Sequence, residues 1–574
     1  MDRILRIFRF GQPLRPQVTW GDVVVLLGLA AFIYGAVRLG MDAPAVVQGP
    51  EINLAPGFLP HYAGLSLGRM FAAYLLSILF SLVFGYVASR SAGAERILIP
   101  LFDVLQSIPI LSFLPVALLT FSAILPLGVA VELSSIVLIF TSQAWNLAFA
   151  WYQSLTTIPR TLQRASVMLR FNAWLRFKTL ELPFAGVSLI WNSMASWAGG
   201  WFFLMAAEIF SAGERNFRLP GLGAYLQEAA NQGDLRAIAY GLTALILIIV
   251  ILDQLVWRPL IAWSNRFTMQ MVSSDDPPTS WFYNVLRNAA SVQFVHRALH
   301  RPLMERLDAW LIRVLPARGA IGGPPRSRAW LRVGLGFAIL AVILGGVYLC
   351  GRMLLGVSLT QWGQIAVGLG MTLLRVLASL AIALGWTIPA GVLIGTSPRL
   401  SAWLQPLAQI AASIPATALF PILLLLVVNL PGGLNLAAVL LMLLGTQWYL
   451  LFNIIAGASA IPRDLQSIAS LLQLRRWERW RVLILPAIFP YTVTGALAAS
   501  GGAWNASVVA EYTQFGGRTL QTTGVGALIA EATAQGDYPL LLAATLSLIL
   551  TVIIINRLVW RRLYRLAEER YRLD

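Results

Sequence analysis

Long apolar runs separated by short polar segments form the main pattern along the chain. A run of about 20 apolar residues is long enough to cross the ~30 Å hydrocarbon core of a membrane as a helix. Six runs precede a polar, proline-containing stretch at 262–330, and six follow it. They lie near residues 20–38, 65–89, 98–121, 127–152, 183–210 and 236–258, then 331–354, 366–395, 402–427, 433–456, 485–510 and 538–560. The pattern predicts about twelve transmembrane helices.

The composition supports a chain that folds in lipid. Apolar residues make up 58% of it, charged residues only 12%, and the mean hydropathy is +0.73. Backbone groups in hydrocarbon must be satisfied within their own segment, which favours helices, and the short alternating segments of a membrane β-barrel do not occur. We therefore predict an all-α polytopic membrane protein.

The net charge of +17 raises the question of nucleic-acid binding. The basic residues gather in short stretches between the apolar runs, where they act as topology determinants and contact lipid headgroups. We expect the lipid bilayer, and no nucleic acid, as the partner of these charges.

The two sets of six spans are copies of one another. The sequence "IPRTLQ" at 158–163 matches "IPRDLQ" at 461–466, an offset of 303 residues, and the same offset pairs Glu208 with Glu511. Six is an even number, so both copies enter the membrane from the same side. The repeat is therefore parallel, about an axis along the membrane normal.

The basic residues also predict the sidedness. The N-terminus carries several arginines, whereas the following loop, 39–63, carries none, and the segments 153–182 and 561–574 are basic again. Positive charge marks the cytoplasmic side, so both termini are expected there. The predicted divisions are a cytoplasmic N-terminal amphipathic segment (1–19), a first six-helix unit (20–260), a cytoplasmic linker with an amphipathic helix (261–330), a second unit (331–563) and a cytoplasmic tail (564–574).

A basic, half-polar segment recurs between the fourth and fifth spans of each half, at 158–178 and 461–481. Apolar residues recur at helical spacing in both copies: Leu162, Ala165, Leu169, Ala173 and Phe177 in the first, and Leu465, Ile468, Leu472 and Trp480 in the second. The spacing predicts a short helix across the ends of the bundle, with one face packed and one face free. A lipid-facing interfacial helix is the simpler alternative.

The segment resembles the cytoplasmic "EAA" loop of ATP-binding-cassette (ABC) importer permeases, in which roughly Glu-Ala-Ala-x-x-x-Gly precedes an aromatic residue and Leu-Pro. The chain departs from this pattern at the Glu position, Arg164 and Ser467, and at the Gly position, Arg170 and Gln473. The resemblance implies ATPase-docking positions in both halves: Ala165, Leu169, Trp174, Phe177, Pro183, Ala469, Leu472, Trp477, Trp480 and Pro486.

Other repeated stretches resemble the nitrate, sulfonate, bicarbonate and taurine branch of these permeases. They are "SIPILSFLP" and "SIPATALFP", "AAEIF" and "VAEYT", and the Gly-x-Gly loops "GLGAYLQEA" and "GVGALIAEA". The resemblance covers about two thirds of the chain. It implies two permease units fused in one chain of a bacterial inner membrane, which together import a small anion. It also implies two cytoplasmic ATPase subunits and a periplasmic or lipid-anchored solute-binding protein as partners.

Enzymatic chemistry finds little support in the sequence. No Gly-x-x-x-x-Gly-Lys-Ser/Thr motif occurs, and Lys178 is the only lysine, so ATP and Mg²⁺ are expected to be bound by a partner ATPase and no cofactor by this chain. The single cysteine, Cys350, and the three histidines, His61, His296 and His300, suggest no metal centre. A membrane enzyme is the least favoured class.

Polar and charged residues inside predicted spans are candidates for the solute path or its gate. They are Arg69, Gln106, Gln143, Asn146, Glu208, Arg375, Gln447 and Glu511. Arg–Glu pairs between spans could open with a transport cycle, or the arginines could attract an anion. The alternative is a structural role, as a fixed ion pair or a polar contact between helices.

Two alternatives to an anion importer remain open at the level of sequence. One is a fused ABC permease for iron, thiamine or another solute. The other is a secondary transporter, a class in which twelve spans in two parallel halves are also common. A secondary transporter would be expected to carry coupling carboxylates in mid-span and would not need two matching basic segments.

Overall fold

The computed structural model describes residues 20–44, 46–106, 108–212, 214–267, 280–289, 293–294, 298, 301–314, 329–427, 429–515 and 518–570. The predicted N-terminal segment 1–19 lies outside the described residues, as do the end of the tail and much of the linker.

The described residues of the first half are mainly helical and include one short hairpin. Its helices are α1 (Trp20–Gly40), α2 (Leu59–Arg90), α3 (Ala92–Gln106), α4 (Leu114–Ile124), α5 (Leu127–Thr156), α6 (Arg160–Met168), α7 (Ala173–Arg176), α8 (Leu182–Ile209), α9 (Leu222–Asn231), α10 (Leu235–Leu252) and α11 (Arg258–Ser264). The strands β1 (Ser211–Ala212) and β2 (Arg215–Asn216) are antiparallel. Short 3₁₀ turns lie at Pro56–Phe58, Ile110–Phe113 and Asn265–Phe267.

The described part of the linker contains α12 (Trp281–Asn288) and α13 (Arg301–Val314). The second half then repeats the order of the first. Its elements are α14 (Ala329–Leu354), α15 (Leu359–Thr396), α16 (Pro398–Ser413), α17 (Ala416–Val427), α18 (Gly433–Ser459), α19 (Arg463–Leu471), α20 (Arg476–Arg479), α21 (Leu485–Glu511), β3 (Tyr512–Phe515), β4 (Arg518–Gln521), α22 (Val525–Gln535), α23 (Tyr538–Ile555) and α24 (Arg561–Arg570).

The predicted all-α polytopic fold is confirmed, with a difference in how the spans are built. Nine helices of the described residues are long and apolar enough to cross a membrane, and two bent helix pairs raise the number to eleven. The one predicted span outside this number is 183–210, the fifth along the chain. It forms α8, which is 28 residues long but carries the polar residues Asn192, Ser193 and Ser196 in its middle.

The third span of each half is broken rather than straight, which corrects the continuous helices expected at 98–121 and 402–427. The helix axis bends by 91° between α3 and α4, and by 82° between the corresponding α16 and α17. Each bend falls at a "SIP" triplet, at Pro109 and Pro415. A proline lacks an amide hydrogen and forces the residue before it out of helical geometry, so a helix ends there.

The two halves form one body. α1 packs against α14 and against α4, and Gly346 of α14 lies so close to Ala31 of α1 that an added Cβ would overlap the alanine side chain. Small residues permit such close helix contacts in membranes. The largest apolar cluster contains fully buried residues of both halves, among them Leu111, Phe420 and Trp504.

Two short β-hairpins were not predicted from the sequence. Each follows a long helix, α8 or α21, and the second pairs Tyr512 with Gln521 and Phe515 with Arg518. We call this end of the bundle the hairpin end. We call the opposite end, which carries the segments 158–178 and 461–481, the basic end.

Four π-helical turns mark the basic end at equivalent positions of the repeat. Phe177–Glu181 corresponds to Trp480–Ile484, and Asp253–Trp257 corresponds to Asn556–Trp560, each pair at the 303-residue offset. A π turn is rare because its hydrogen bonds are poorly aligned, and it is frequent at functional sites. Both halves therefore keep the same local departure from the α-helix next to the basic segments.

Candidate solute pathway and docking loops

A buried ion-pair cluster fastens the first Gly-x-Gly loop to two helices. Arg69 on α2, only 3% exposed, donates to Glu208 Oε1 on α8 at 2.8 Å and to the Pro220 carbonyl oxygen at 2.9 Å. Ser66 donates to the same carboxylate oxygen at 2.6 Å, and the Gly223 amide donates to Glu208 Oε2 at 2.7 Å. The carboxylate is thus fully buried and fully hydrogen-bonded.

The second half repeats this arrangement. Arg375 donates to Glu511 Oε1 at 2.8 Å and to the Thr523 carbonyl oxygen at 2.8 Å. Thr372 takes the place of the serine, at 2.7 Å from Glu511 Oε1, and the Gly526 amide donates to Glu511 Oε2 at 2.9 Å. Sequence reasoning paired these arginines and glutamates, and the structure brings both pairs together.

The remaining hydrogen-bond partners of each arginine, on the side away from the buried glutamate, differ between the halves. Arg69 forms a two-pronged ion pair with Glu132, at 2.6 and 2.7 Å. Arg375 instead contacts the neutral Asn435 Oδ1, at 2.7 and 3.1 Å, and Thr522 Oγ1 at 2.9 Å. One arginine therefore has two carboxylate partners and the other has one.

The glycines that open the loops are required by close approach. A Cβ added at Gly221 would overlap the Glu208 carboxylate, and one added at Gly524 would overlap that of Glu511. The backbone at both glycines is extended, so space and not dihedral strain sets the requirement. The geometry supports the structural alternative for these pairs, in which they anchor the loop to the helices.

A cavity of about 970 Å³ lies between the halves. Aromatic, amide and hydroxyl side chains of both halves line it, among them Gln106, Ser142, Trp145, Asn146, Phe202, Gln409, Trp448, Tyr449 and Asn505. The cavity extends to the last turns of the final spans, where Asn556 and Trp560 line it. Its charged lining residues, within the described part of the chain, are Asp253 and Arg258, which pair at 2.8 Å.

The predicted path residues divide into two groups. Gln106 and Asn146 line the cavity and lie 3.4 Å apart, Nε2 to Oδ1. Gln143 and Gln447 are buried and do not line it. Neither do the residues of the two ion-pair clusters. Gln143 packs against Gly200, and its amide atoms have no hydrogen-bond partner among the described residues.

Sequence reasoning missed several cavity residues. Gln409 is the repeat counterpart of Gln106, so the 303-residue offset could have identified it. Asn505 stands where the first half has Phe202, and no repeat signal marks it. The Asn505 side chain accepts a hydrogen bond from the Ile110 amide at the bend of the first half. The bend therefore places a backbone donor of one half against the other half.

The halves are bridged at the hairpin end. Arg215, next to the first hairpin turn, donates to the Thr533 carbonyl oxygen at 2.8 Å, and Gln227 donates to the Gln514 carbonyl oxygen at 3.0 Å. Both bonds run from the first half to the second. The halves are therefore in contact at the hairpin end, while the cavity between them reaches the basic end.

The basic segments fold as two pieces, which corrects the single helix expected over 158–178 and 461–481. Helices α6 and α19 are each nine residues long, and after a turn the chain enters a second helical piece that continues into α8 or α21. Asn172 caps the second piece of the first half by accepting a hydrogen bond from the Leu175 amide at 2.8 Å. We call 160–178 and 463–481 the first and second docking loops, after the role that the family resemblance predicts for them.

The break also changes the predicted packed face. Ala165 is exposed and Leu169 is 66% exposed, while Ser166 is buried. In the second loop Ala469, the counterpart of Ser166, is buried and Leu472 is 66% exposed. A helical period predicts a face only while the helix is continuous, so residues beyond the turn no longer share a face with α6. Ala165 precedes the turn, and its exposure is a separate difference from the predicted face. Phe177 and Trp480 lie beyond the break and are half-buried.

The turn after each docking helix explains the glycine of the family pattern. Arg170 and Gln473 have φ of 51° and 50°, the left-handed conformation that glycine adopts most readily. The Phe171 amide donates to the Ser166 carbonyl oxygen at 3.0 Å, which is the long hydrogen bond of a helix C-cap of this type. The chain keeps the backbone of the motif with a non-glycine residue in both halves.

The two docking loops are anchored differently beneath the turn. Glu181, fully buried, pairs with Arg90 and lies 2.8 Å from Arg176 Nε. Its repeat counterpart is Ile484, which is 6% exposed and packs in an apolar cluster with Leu450. The first loop is held by buried charge and the second by apolar contact.

The linker helix α13 contacts the first docking loop. Trp174 Nε1 donates to Asp308 Oδ1 at 2.8 Å, and the Lys178 ammonium donates to Asp308 Oδ2. The hydrogen bond from Lys178 lowers the pKa of Asp308 below its ordinary value of 3.8, partial burial opposes this, and the Trp174 hydrogen bond adds to the lowering. Trp174 is half-buried, whereas its counterpart Trp477 is 73% exposed.

Fold and site together define an integral membrane protein built from two fused copies of one helical unit around a shared cavity. The chain belongs to the family of binding-protein-dependent transport system inner membrane components. The family model matches twice, at residues 64–256 and 387–573, which is about two thirds of the chain. The family resemblance identified from the docking loops and the repeat is thereby confirmed.

Several named permeases are similar to the chain. The bicarbonate transport system permease protein CmpB of Synechococcus elongatus is 31% identical over 175 residues, 30% of this chain and 58% of the relative. The nitrate import permease protein NrtB of Leptolyngbya laminosa is 30% identical over 172 residues, with the same coverage of 30% and 58%. The putative aliphatic sulfonates transport permease protein SsuC of Bacillus subtilis is 26% identical over 170 residues, again 30% and 58%. The chain thus spans somewhat more than half the length of these relatives.

Proposed function

We propose that the chain is the membrane subunit of an ABC importer and supplies both halves of its solute pathway. The observation that carries the proposal is one cavity shared by two copies of the family unit, each with an exposed loop at the basic end. A single chain would then replace the pair of permease subunits that other systems assemble. The basic end, with both termini, faces the cytoplasm, and the hairpin end faces a solute-binding protein.

Exposed apolar residues support ATPase docking at both loops. Val167, Met168 and Leu169 are 63%, 83% and 66% exposed at the end of the first docking helix. At the end of the second, Leu471 and Leu472 are 80% and 66% exposed. Clustered apolar side chains that project from a basic surface are typical of a protein interface. The docked subunits bind ATP and Mg²⁺. When they close on ATP, their contacts with the docking loops change, and this difference in contact shifts the two halves of the chain between two conformations.

The named relatives support a small anion as the solute, of the bicarbonate, nitrate or sulfonate class. Among the described residues, the cavity walls are neutral apart from the paired Asp253 and Arg258. A wall of amide and indole groups can give an anion hydrogen bonds without a strong fixed charge, which allows passage rather than tight retention. We assign the selection of the solute to the binding protein.

Two exposed positions test the docking proposal without disturbing the fold. Met168→Asp combined with Leu471→Asp is expected to abolish copurification of ATPase subunits with the detergent-solubilised chain, because a carboxylate in an apolar groove is desolvated without a partner. Leu235→Asp, which is 73% exposed in the wild type at the hairpin end, is the matched control and is expected to leave copurification unchanged. Unchanged copurification and ATPase turnover in the double variant would contradict docking at these loops.

A further inference from the structure

We infer that the two docking helices, each taken with the turn that ends it (160–170 and 463–473), fit different ATPase surfaces: the first fits an acidic groove and the second a neutral, apolar one. The inference rests on the proposed docking function and specifies the partners. It follows from a comparison of two sites that share a backbone and differ in charge.

The two docking helices present the same shape. Each is nine residues long, follows a proline N-cap and ends in a left-handed turn at Arg170 or Gln473. Their most exposed apolar side chains, Met168 and Leu471, occupy equivalent positions and are 83% and 80% exposed. A difference in what the two helices bind must therefore come from side-chain chemistry.

The net charge of each helix taken with its turn differs by three, and the difference is confined to these residues. The segment 160–170 carries Arg160, Arg164 and Arg170, all exposed, and no acidic residue. In 463–473 the single arginine, Arg463, is offset by Asp464. Beyond the turn both loops are basic, with Arg176 and Lys178 in the first and four arginines beside Glu478 in the second.

The repeat shows where the charge is lost. The counterparts of Arg164 and Arg170 are Ser467 and Gln473, both exposed and neutral. The same two positions, one on the helix and one on the turn, therefore carry charge in the first half and none in the second.

Charge complementarity decides which groove each helix prefers. Exposed charges at an interface contribute mainly to specificity and association rate, and like charges or unpaired charges are disfavoured. A groove lined with carboxylates would pair with the three arginines of the first helix and its turn and would gain nothing from the same residues of the second. Two identical grooves cannot complement both helices equally.

The surroundings of the helices differ in the same sense. Beside the first helix, Trp174 is covered in part by the linker through Asp308, which also pairs with Lys178. Beside the second, Trp477 is 73% exposed and available as an apolar contact. An ATPase subunit at the second loop would thus contact the exposed indole of Trp477. A subunit at the first loop would contact the edge of α13 at the equivalent place.

A cross-linking experiment on the copurified complex tests the inference. Cys350, the only cysteine and 4% exposed, is replaced by serine, and Met168→Cys or Leu471→Cys is introduced and labelled with benzophenone maleimide. The yield and identity of the ATPase subunit cross-linked at each position are measured by mass spectrometry at low and at high sodium chloride. We expect the yield at position 168 to fall about fivefold at high salt, the effect of screening roughly three surface ion pairs, and the yield at 471 to change less than about twofold.

A charge exchange at equivalent positions supplies the matched control. Arg164→Ser is expected to reduce the salt sensitivity at position 168, and Ser467→Arg to create one at 471. Equal salt sensitivity at both positions, or a salt response that the exchange leaves unchanged, would overturn the inference. Absence of any ATPase cross-link at both positions and both salt concentrations would instead contradict the docking function itself.

Discussion

The ion-pair clusters at the hairpin end and the docking loops at the basic end have changed differently between the two halves. At the hairpin end, Arg375, Thr372 and Glu511 repeat the hydrogen bonds of Arg69, Ser66 and Glu208 almost atom for atom. At the basic end the backbone is repeated, but the buried anchor and the exposed charges are not. The contacts inside the clusters are fixed by mutual fit within the chain, whereas an exposed surface that meets a partner can follow that partner. The buried anchor beneath the docking loops has changed in kind, from an ion pair at Glu181 to apolar packing at Ile484.

The one change of charge inside the clusters occurs at their exposed side. Glu132, replaced by Asn435 in the second half, has a side chain that is 40% exposed, whereas Glu208 and Glu511 are fully buried. A buried carboxylate beside an arginine cannot be removed without leaving an unpaired charge, but an exposed one can be replaced because water takes its place.

The largest effect is expected from neutralising a buried carboxylate of a cluster. Glu208→Gln leaves the buried Arg69 with a weaker partner on its inner side, and we expect a loss of about 3–5 kcal/mol of unfolding free energy. Glu132→Gln on the same arginine should cost about 1 kcal/mol or less, because that side is partly solvated. Chemical unfolding in detergent measures both, and equal losses would contradict the distinction between buried and exposed partners.

A smaller loss of unfolding free energy is expected where a substitution adds a methyl group and leaves the charges unchanged. Gly221→Ala and Gly524→Ala drive a methyl group into the Glu208 and Glu511 carboxylates, and overpacking of this kind typically costs about 1–3 kcal/mol. Gly199→Ala is the control, since no atom lies within 4 Å of a Cβ added there. If Gly221 and Gly524 tolerate alanine as well as Gly199 does, the clusters do not fix the loops.

At the basic end, Asp308→Asn should loosen the linker helix from the first docking loop only. The neutral amide loses the ion pair with Lys178, so hydrogen–deuterium exchange of 301–314 should rise about twofold to fivefold. Exchange of 463–471 in the second loop is the internal control. A comparable rise in both segments would mean that the linker contact does not distinguish the two loops.

The pH dependence of this contact has a definite sign. The folded pKa of Asp308 is below its ordinary value of 3.8, so the contact stabilises the helix fully above pH 3.8 and is lost as the pH falls through the lower folded value. In the wild type, exchange of 301–314 attributable to Asp308 should therefore be flat through the neutral range and rise only in acid. A rise between neutral pH and pH 5 would contradict the assignment.

The smallest effect is expected at the strained turns. Arg170→Gly and Gln473→Gly should each raise the unfolding free energy by up to about 1 kcal/mol, because glycine adopts the left-handed conformation without steric cost. Arg164→Gly is the control, because Arg164 is also an arginine but lies six residues earlier, in the middle of α6. It should lower the unfolding free energy by about 1 kcal/mol instead. Thermal unfolding in detergent resolves the sign, and a loss at all three positions would show that the turn is not strained.

The spans and the repeat were predictable because hydropathy reports directly on burial in lipid. The bends at Pro109 and Pro415 lie inside apolar runs, and hydropathy does not register a change of direction within a run. The break after each docking helix was hidden because Arg170 and Gln473 stand where a glycine would have marked the turn. The hydrogen bond from Trp174 to Asp308 joins residues 134 positions apart, and no local pattern predicts such a contact.

The candidate path was only half predictable for a related reason. A polar residue in a span faces either a cavity or another helix, and sequence does not tell which. Asn146 lines the cavity, whereas Gln143, three residues earlier on the same α5, is buried against Gly200. Only the packing of the two halves decides between the two environments.

The mass of the intact complex tests the central claim most directly. If one chain supplies both halves of the pathway, native mass spectrometry of the copurified complex should find one copy of this chain with two ATPase subunits. A complex that holds two copies of the chain for each pair of ATPase subunits would contradict the account.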